Sequence, residues 1–500
     1  EDDRPLILCE FSHAMGNSNG SIAEYVDAFH SEPALAGGFV WDWRDQGLVE
    51  KDAKGRSYWA YGGHFEDEPN DANFCINGLT GPDGNPHPAL TEYCWAARPV
   101  TVSASDRQIL TITNRRRFKD LSDLSCRWEL LSGGEVVESG ALHVDLSPGV
   151  EGTYPLPCSS KMSSSEESHL NFYWYLKDGV EWADSGHLLS WDQIVLSEPR
   201  RELVEQALSN TVYRKAEVST YTKGDISVLL DGNHDLDRVL YQGNTVISTM
   251  PIASVWRAPT DNDGVSQGWM AEVSGVRPKW ISEGMDRVTI RNKECRVTSE
   301  AEKTIFNLKR EVHGTTSFAS HHSVYSLTQE CLHVSEVIQI PKQWDDLPRV
   351  GIRYEIPSRF EALRWFGRGP NESYPDRFRS QMLGIWSSTV EEQYHPYVVP
   401  QEHGAHHQTR WFTLSGPDGS QMTVTSSNVF SFSARIHHDL DLAAAKTIGE
   451  LEKKGTIEVH LDAAIRGLGT GACGPDALRK YRVSAGTYKW DWQMSFQSGD

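Results

Sequence analysis

Glu10 closes a short continuous apolar run, Pro5-Leu6-Ile7-Leu8-Cys9, and His13 follows three residues later. Such a run reads as a strand buried on both faces, as in a parallel sheet. A carboxylate at the C-terminal end of that strand, before the small polar stretch Ser12–Gly20, stands where α/β barrels carry their chemistry and could serve as a nucleophile. The same carboxylate has a structural reading: it can cap the next helix or pair with Arg4 or Arg44. A second buried run, Gly37-Gly38-Phe39-Val40-Trp41, puts Trp41 at the matching end of a second strand, the other position where such barrels carry their chemistry. Trp43, two residues on, serves equally as core. Phe74-x-x-Asn77 reads locally as no more than a turn.

Between the two runs, Ile22, Tyr25, Val26 and Phe29 form a helical stripe. Ser21 and Glu24 are spaced as a capping box, and Pro33 stops the helix. The segment is one β-loop-α-β unit of the length a parallel crossover needs. A long polar loop, roughly residues 50–86, precedes a helix over Pro88–Trp95, and Arg98-Pro99 marks its exit.

From Val100 the signal is strand-like. Leu110–Thr113 alternates, Ser132-Gly133-Gly134 joins two strands as a hairpin, and a Ser-rich loop at 159–165 precedes the strand pattern Leu170–Leu176. A polar linker at Glu198–Val204 leads into nearly 300 residues without a sustained helical stripe. There Val228–Leu230, Val239–Tyr241, His333–Val337 and Gln421–Val424 read as strands. One large antiparallel sandwich is the economical reading.

The 500 residues carry 48 Lys+Arg against 69 Asp+Glu, a net charge of −21. A surface that acidic repels phosphate backbones and anionic lipid, so nucleic-acid and membrane-surface roles are not expected. No apolar run approaches the roughly 18 residues of a membrane span. The eight cysteines form no C-x-x-C pair and no zinc-spaced cluster. They read as buried small hydrophobes in a reducing compartment, which favours the cytoplasm.

Two parallel strands with their helices do not make a stable sheet, because their outer edges and apolar faces stay wet. The first hundred residues therefore read as the end of an eight-stranded barrel whose other strands come from a missing N-terminal portion or a complementing chain.

The string Leu6-Ile7-Leu8-Cys9-Glu10-Phe11-Ser12-His13-Ala14-Met15-Gly16-Asn17-Ser18 closely resembles the nucleophile segment of the large lactose-hydrolysing β-galactosidases of glycoside hydrolase family 2. Gly37–Trp43, Asn70-Asp71 and Phe74–Leu79 resemble that family too. So do Arg257-Ala258-Pro259-Thr260-Asp261-Asn262-Asp263, Trp365–Arg377 and Tyr397–Gly404. These motifs are long and ordered as in the family.

The resemblance implies a chain made of the end of a (β/α)8 barrel (1–98), an immunoglobulin-like β-sandwich (99–208) and a large C-terminal antiparallel β-sandwich (209–500). It implies a retaining hydrolysis of terminal β-D-galactose in which Glu10 is the nucleophile. His13 then hydrogen-bonds the galactosyl group, and Trp41 floors its site. The Phe74 carbonyl and the Asn77 side-chain oxygen hold a sodium ion that touches the 6-hydroxyl. Gly264–Trp269 matches a mobile loop near the active site. Gly467–Pro475 reaches the active site from the far end of the chain, with Cys473 where some members place a tryptophan under the glucose half of lactose. The Gly367–Arg377 and Tyr397–Gly404 motifs read mainly as structural, with buried Arg–carboxylate pairs.

The family's acid/base Glu and its magnesium ligands lie upstream of the nucleophile, in a segment this chain does not contain. The isolated polypeptide is therefore expected to be inactive, and the complete protein to be a homo-oligomer. Two alternatives stand beside this reading. One is a non-catalytic carbohydrate-binding or complementing subunit of a split glycosidase. The other is a sister β-glucuronidase or β-mannosidase, against which the long C-terminal sandwich argues.

Overall fold

In the computed structural model, β1 (Leu6–Phe11) runs parallel to β2 (Leu35–Val40), with α1 (Ile22–Ser31) as the crossover. The residues described are 4–104, 109–158, 166–198, 214–215, 219–231, 235–268, 271 and 275–499. The Ser-rich loop at 159–165, most of the Glu198–Val204 linker and Trp269 lie outside them.

The crossover unit is the expected one, and α1 buries Ile22 and Val26 of its stripe. The capping box does not form. Ser21 has φ 63° and makes no side-chain cap; its N–H donates to the Asp376 carbonyl at 2.7 Å, while Glu24 accepts the Tyr481 hydroxyl. Distant partners replace the local motif because this helix starts against another part of the chain rather than in water.

The two strands are also more open than expected. Leu6 and Phe39 are 53% and 68% exposed, because among the described residues each strand has only the other as a neighbour. The polar loop at 50–86 contains a hairpin, β3 (Leu48–Lys51) with β4 (Ser57–Ala60), too short for its alternation to register in the sequence. Helix α2 (Pro88–Ala96) has Pro at its first turn and packs Ala96 on Ala23 and Val26 of α1.

Beyond it lie β5 (Val100–Ala104), β6 (Ile109–Asn114), β7 (Leu124–Ser132), β8 (Glu135–Leu142), β9 (Glu151–Pro155), β10 (Ser168–Leu176) and β11 (Leu188–Ser197). They form a three-stranded sheet, β5-β6-β9, and a four-stranded antiparallel sheet, β11-β10-β7-β8. The β7–β8 turn is the expected hairpin, with Gly133 and Gly134 both at positive φ. Leu170, Phe172, Trp174 and Leu176 alternate along β10 into one core that also holds Val100, Val102, Leu110 and Ile112 of the other sheet.

Residues from 214 onward are dominated by an extensive sheet that runs from the short strand Arg214–Lys215, paired with Thr289–Ser299, to Met382–Thr389. A smaller four-stranded sheet over 220–247 shares its apolar core, in which Trp280, Trp344, Trp365 and Trp492 are fully buried. The expected strands at 228–230, 239–241, 333–337 and 421–424 are all present. The architecture is multidomain and mostly β. No helix among the described residues is long and apolar enough to cross a membrane.

All eight cysteines are free thiols, but only Cys126 is buried, and Cys9, Cys94 and Cys473 are exposed. The expectation of buried cysteines fails at those three because their strand, helix face and turn meet no partner surface here.

Candidate functional site

The site is assembled where β1 and β2 end. Alternation along β1 turns Phe11 inward against the Tyr25 and Phe29 rings, both 5.2 Å away, and leaves Glu10 on the open face. The Glu10 carboxylate has no hydrogen bond or ion pair with any described residue, so neither the capping nor the Arg-pairing reading holds. Arg44 instead donates to the Pro82 carbonyl.

The two strand ends are tied together: Trp41 N–H donates to Phe11 O at 3.3 Å, and Ala14 N–H donates to Trp41 O at 2.7 Å. Trp41 is 43% exposed, so a ring face is open beside that junction. The next segment runs alongside, with Asp42 N–H donating to Asn77 O at 2.6 Å and Leu79 N–H to Asp42 O at 3.0 Å. These bonds bring Phe74 and Asn77 to the same end of the sheet.

His13 is buried, with its ring stacked on Phe74 at 5.4 Å and its Nδ1 without a partner. Burial pushes its pKa down to about 4, so the imidazole is neutral and free to accept or donate one further hydrogen bond. Asn77 is buried as well. Its Nδ2 donates to Phe74 O at 3.0 Å, and its Oδ1 is left without a partner. A buried, unsatisfied amide oxygen is uncommon, and here it sits one turn from a main-chain carbonyl, a pair of donors that suits a hard cation.

Cys473 is exposed on a turn whose N–H donates to Thr470 O at 3.3 Å. Its neighbour Ala472 is buried in one apolar cluster with Met15 and Val265, against which Phe74 packs. The turn of Cys473 thus adjoins the wall that carries His13 and Phe74. Of the Gly264–Trp269 segment, Val265 belongs to that wall, and Gln267 Nε2 donates to the Tyr61 hydroxyl at 2.6 Å.

The loop 12–20 that follows Glu10 is held partly by itself, Ser18 Oγ donating to His13 O and Asn19 Nδ2 to Ser12 O, both at 2.6 Å, and partly by distant residues whose contacts to it the sequence did not reveal. Gln401 Oε1 accepts Asn17 N–H at 3.0 Å and Asp261 N–H at 3.2 Å, and its Nε2 donates to Asp261 Oδ2 at 2.9 Å. Asn73 Nδ2 donates to Asp261 Oδ1 at 2.9 Å. Burial raises the Asp261 pKa while these two amides oppose the rise. Asp376 accepts the N–H groups of Leu468 and Gly469, and a Cβ on Gly20 would lie 2.0 Å from its carboxylate, so only glycine lets the loop approach. The available signal was indirect: a stretch rich in Ser, Asn and Gly offers more donors and acceptors than its sequence neighbours can satisfy.

The Trp365–Arg377 and Tyr397–Gly404 motifs do form buried ion pairs. Arg377 meets Glu372 at 2.5 Å, and Glu402 lies between Arg349, at 2.7 Å, and Arg435. Asp439, Glu458 and His460 have ligand atoms within 4.8 Å of one another, the spacing of a metal site. Arg435 and Arg353 already engage those carboxylates, so the group belongs to the ion-pair network.

Three family models match successive stretches of the chain. Residues 1–102 match the TIM barrel domain of the family 2 glycosyl hydrolases, 110–197 match domain 4 of β-galactosidase, and 223–495 match the β-galactosidase small chain. The β-galactosidase of Photobacterium profundum is 30% identical over 98% of this chain and 48% of its own length. That of Arthrobacter sp. is 32% identical over 95% of this chain and 48% of its own, and that of Vibrio cholerae 31% over 94% and 45%. The chain spans about half the length of these curated relatives. It belongs to the β-galactosidases of glycoside hydrolase family 2, whose C-terminal part it matches.

Proposed function

We propose that this chain is the C-terminal portion of a retaining β-galactosidase that hydrolyses terminal non-reducing β-D-galactose residues of lactose-like substrates. The reading is supported by the backbone bonds that bring together the strand end bearing Glu10, exposed and unengaged among the described residues, the half-open Trp41 and the loop of the buried, neutral His13. In this reading Glu10 attacks the anomeric carbon, the glycosidic bond breaks, and a galactosyl ester forms on its carboxylate. Water then attacks the anomeric carbon from the face the leaving group vacated, opposite the ester, and frees the carboxylate, so two inversions retain configuration. His13 and Trp41 hold the sugar, one by hydrogen bond and the other by its face.

Protonation of the leaving oxygen needs a second carboxyl about 5–5.5 Å from the first. Asp42, next to Trp41, is engaged by its own neighbours, the Trp43 N–H and the Gln46 side-chain amide. We assign the acid/base to a segment outside this chain, together with the magnesium ligands. The unpaired outer edges of β1 and β2 fit strands supplied by that segment, and without its acid/base the chain is expected to be inactive alone. Phe74 O and Asn77 Oδ1 would hold sodium as part of a shell completed from elsewhere, where the ion would orient the sugar's 6-hydroxyl. The domains follow as a barrel end (1–98), an immunoglobulin-like sandwich (99–208) and a C-terminal sandwich (209–500). The free thiols fit a cytoplasmic protein.

The test is covalent trapping in the complete enzyme with a 2-deoxy-2-fluoro-galactoside. The label is expected on Glu10 and absent in Glu10→Gln, because an amide is a poor nucleophile. A label that persists and maps elsewhere overturns the assignment. The alternative of a complementing subunit is separated by adding an upstream segment: activity that returns with Glu10→Gln in place supports a non-catalytic chain.

A further inference from the structure

We propose that Asn262 is a positioning residue that ties the loop after Glu10 to the turn carrying Cys473, so that one buried carboxamide sets both the galactose side and the acceptor side of the site. The inference rests on the reading of Glu10 as nucleophile.

Asn262 lies in a turn that is rigid before it reaches either loop. Arg257 and Asp263, both fully buried, pair at 2.6 Å, and Asp263 Oδ2 accepts Thr260 N–H at 3.0 Å. From that platform Asn262 Nδ2 donates to Met15 O at 3.0 Å and to Asn17 O at 3.1 Å, while its Oδ1 accepts Ala472 N–H at 3.3 Å. Two carbonyls and one N–H fix the amide's orientation, since the flipped form would set oxygen against oxygen. Gly471 allows the approach: a Cβ there would lie 2.6 Å from the Asn262 carbonyl oxygen.

The consequence is mechanical. Met15 and Asn17 follow His13, and Ala472 precedes Cys473. A shift of this amide therefore moves the galactose-binding histidine and the acceptor turn together. Misplacement of reacting groups by about 1 Å can lower a rate about a hundredfold without touching the chemistry.

The experiment uses the complete enzyme and three proteins: the parent, Asn262→Ala and Asn262→Asp. Labelling of Glu10 by the fluoro-sugar in the parent is measured first; if the label lies elsewhere, the catalytic reading fails and this tie fails with it. With that established, Asn262→Ala is expected to slow the labelling step about tenfold or more. It is also expected to lower the ratio of transfer onto glucose to hydrolysis. Asn262→Asp keeps the acceptor for Ala472 and sets an oxygen against two carbonyls. Its rate relative to the parent is expected to rise as pH falls, when the carboxyl regains a proton to donate. If Asn262→Ala does not fold, the pH profile of Asn262→Asp decides. Labelling at the parental rate in the folded alanine variant, or a flat ratio across pH in the aspartate variant, overturns the proposal.

Discussion

The backbone N–H of Asn17 donates to Oε1 of Gln401 at 3.0 Å, across 384 positions of sequence. Gln401 Oε1 also accepts Asp261 N–H, and its Nε2 donates to Asp261 Oδ2 and to Val399 O. One buried side chain thus fastens the loop after Glu10 to the large C-terminal unit. Gln401→Ala leaves the buried N–H groups of Asn17 and Asp261 without their side-chain acceptor and takes one of two amide donors from the Asp261 carboxylate. The expected loss is about 3 kcal/mol, from the penalty of unsatisfied buried groups. Denaturant unfolding with an unchanged slope checks it, and a loss below about 1 kcal/mol would show that the clamp relaxes or fills with water.

Glu402 is held more tightly still. Burial alone would raise its pKa, but Arg435 and Arg349 bring it down to about 2. Glu402→Gln removes the charge and leaves two buried guanidiniums facing an amide. A destabilisation of about 3–5 kcal/mol is expected, as when one partner of a buried pair is removed. Equilibrium unfolding near neutral pH measures it.

Acid sensitivity has a different source and a different window. Burial lowers His13 and His407 to about 4 and His403 and His406 to about 3. These rings stay neutral in the folded chain and take up protons near 6.5 when it unfolds. Below that pH the unfolded state binds more protons, so stability falls as pH drops from 6.5 towards 4. Glu402 acts only lower, below its ordinary value of 4.5 and towards 2. Urea midpoints measured at about pH 7 and about pH 5 are expected to fall. Equal midpoints would mean that the rings titrate normally.

Hydrogen exchange on the isolated chain should divide along the fold. β1 and β2, which among the described residues pair only with each other, are expected to exchange far faster than β10, which is paired on both edges. Equal protection of Leu6–Val40 and Ser168–Leu176 would contradict the view that the barrel end depends on outside strands.

Cys473 offers an acceptor sugar little surface. In the complete enzyme, Cys473→Trp is expected to strengthen inhibition by free glucose, an aromatic face contributing on the order of 1 kcal/mol. Unchanged or weaker glucose binding removes Cys473 from the acceptor subsite.

The local order of this protein is legible in its sequence because strands and helices follow a short period. The β-loop-α-β unit, the hairpin at Gly133-Gly134 and the core face of β10 need only neighbours two to four positions away. Motif strings likewise point to Glu10, His13, Trp41 and the Phe74–Asn77 turn before any coordinates. Three things came only from the tertiary structure. Ser21 and Glu24 abandon their capping box for Asp376 and Tyr481, the loop 12–20 is fastened by Gln401 and Asn262, and the unpartnered oxygen of Asn77 is sealed from water. Each depends on burial. A buried polar group must find a partner wherever the fold brings one, and that partner's position in the sequence follows no period.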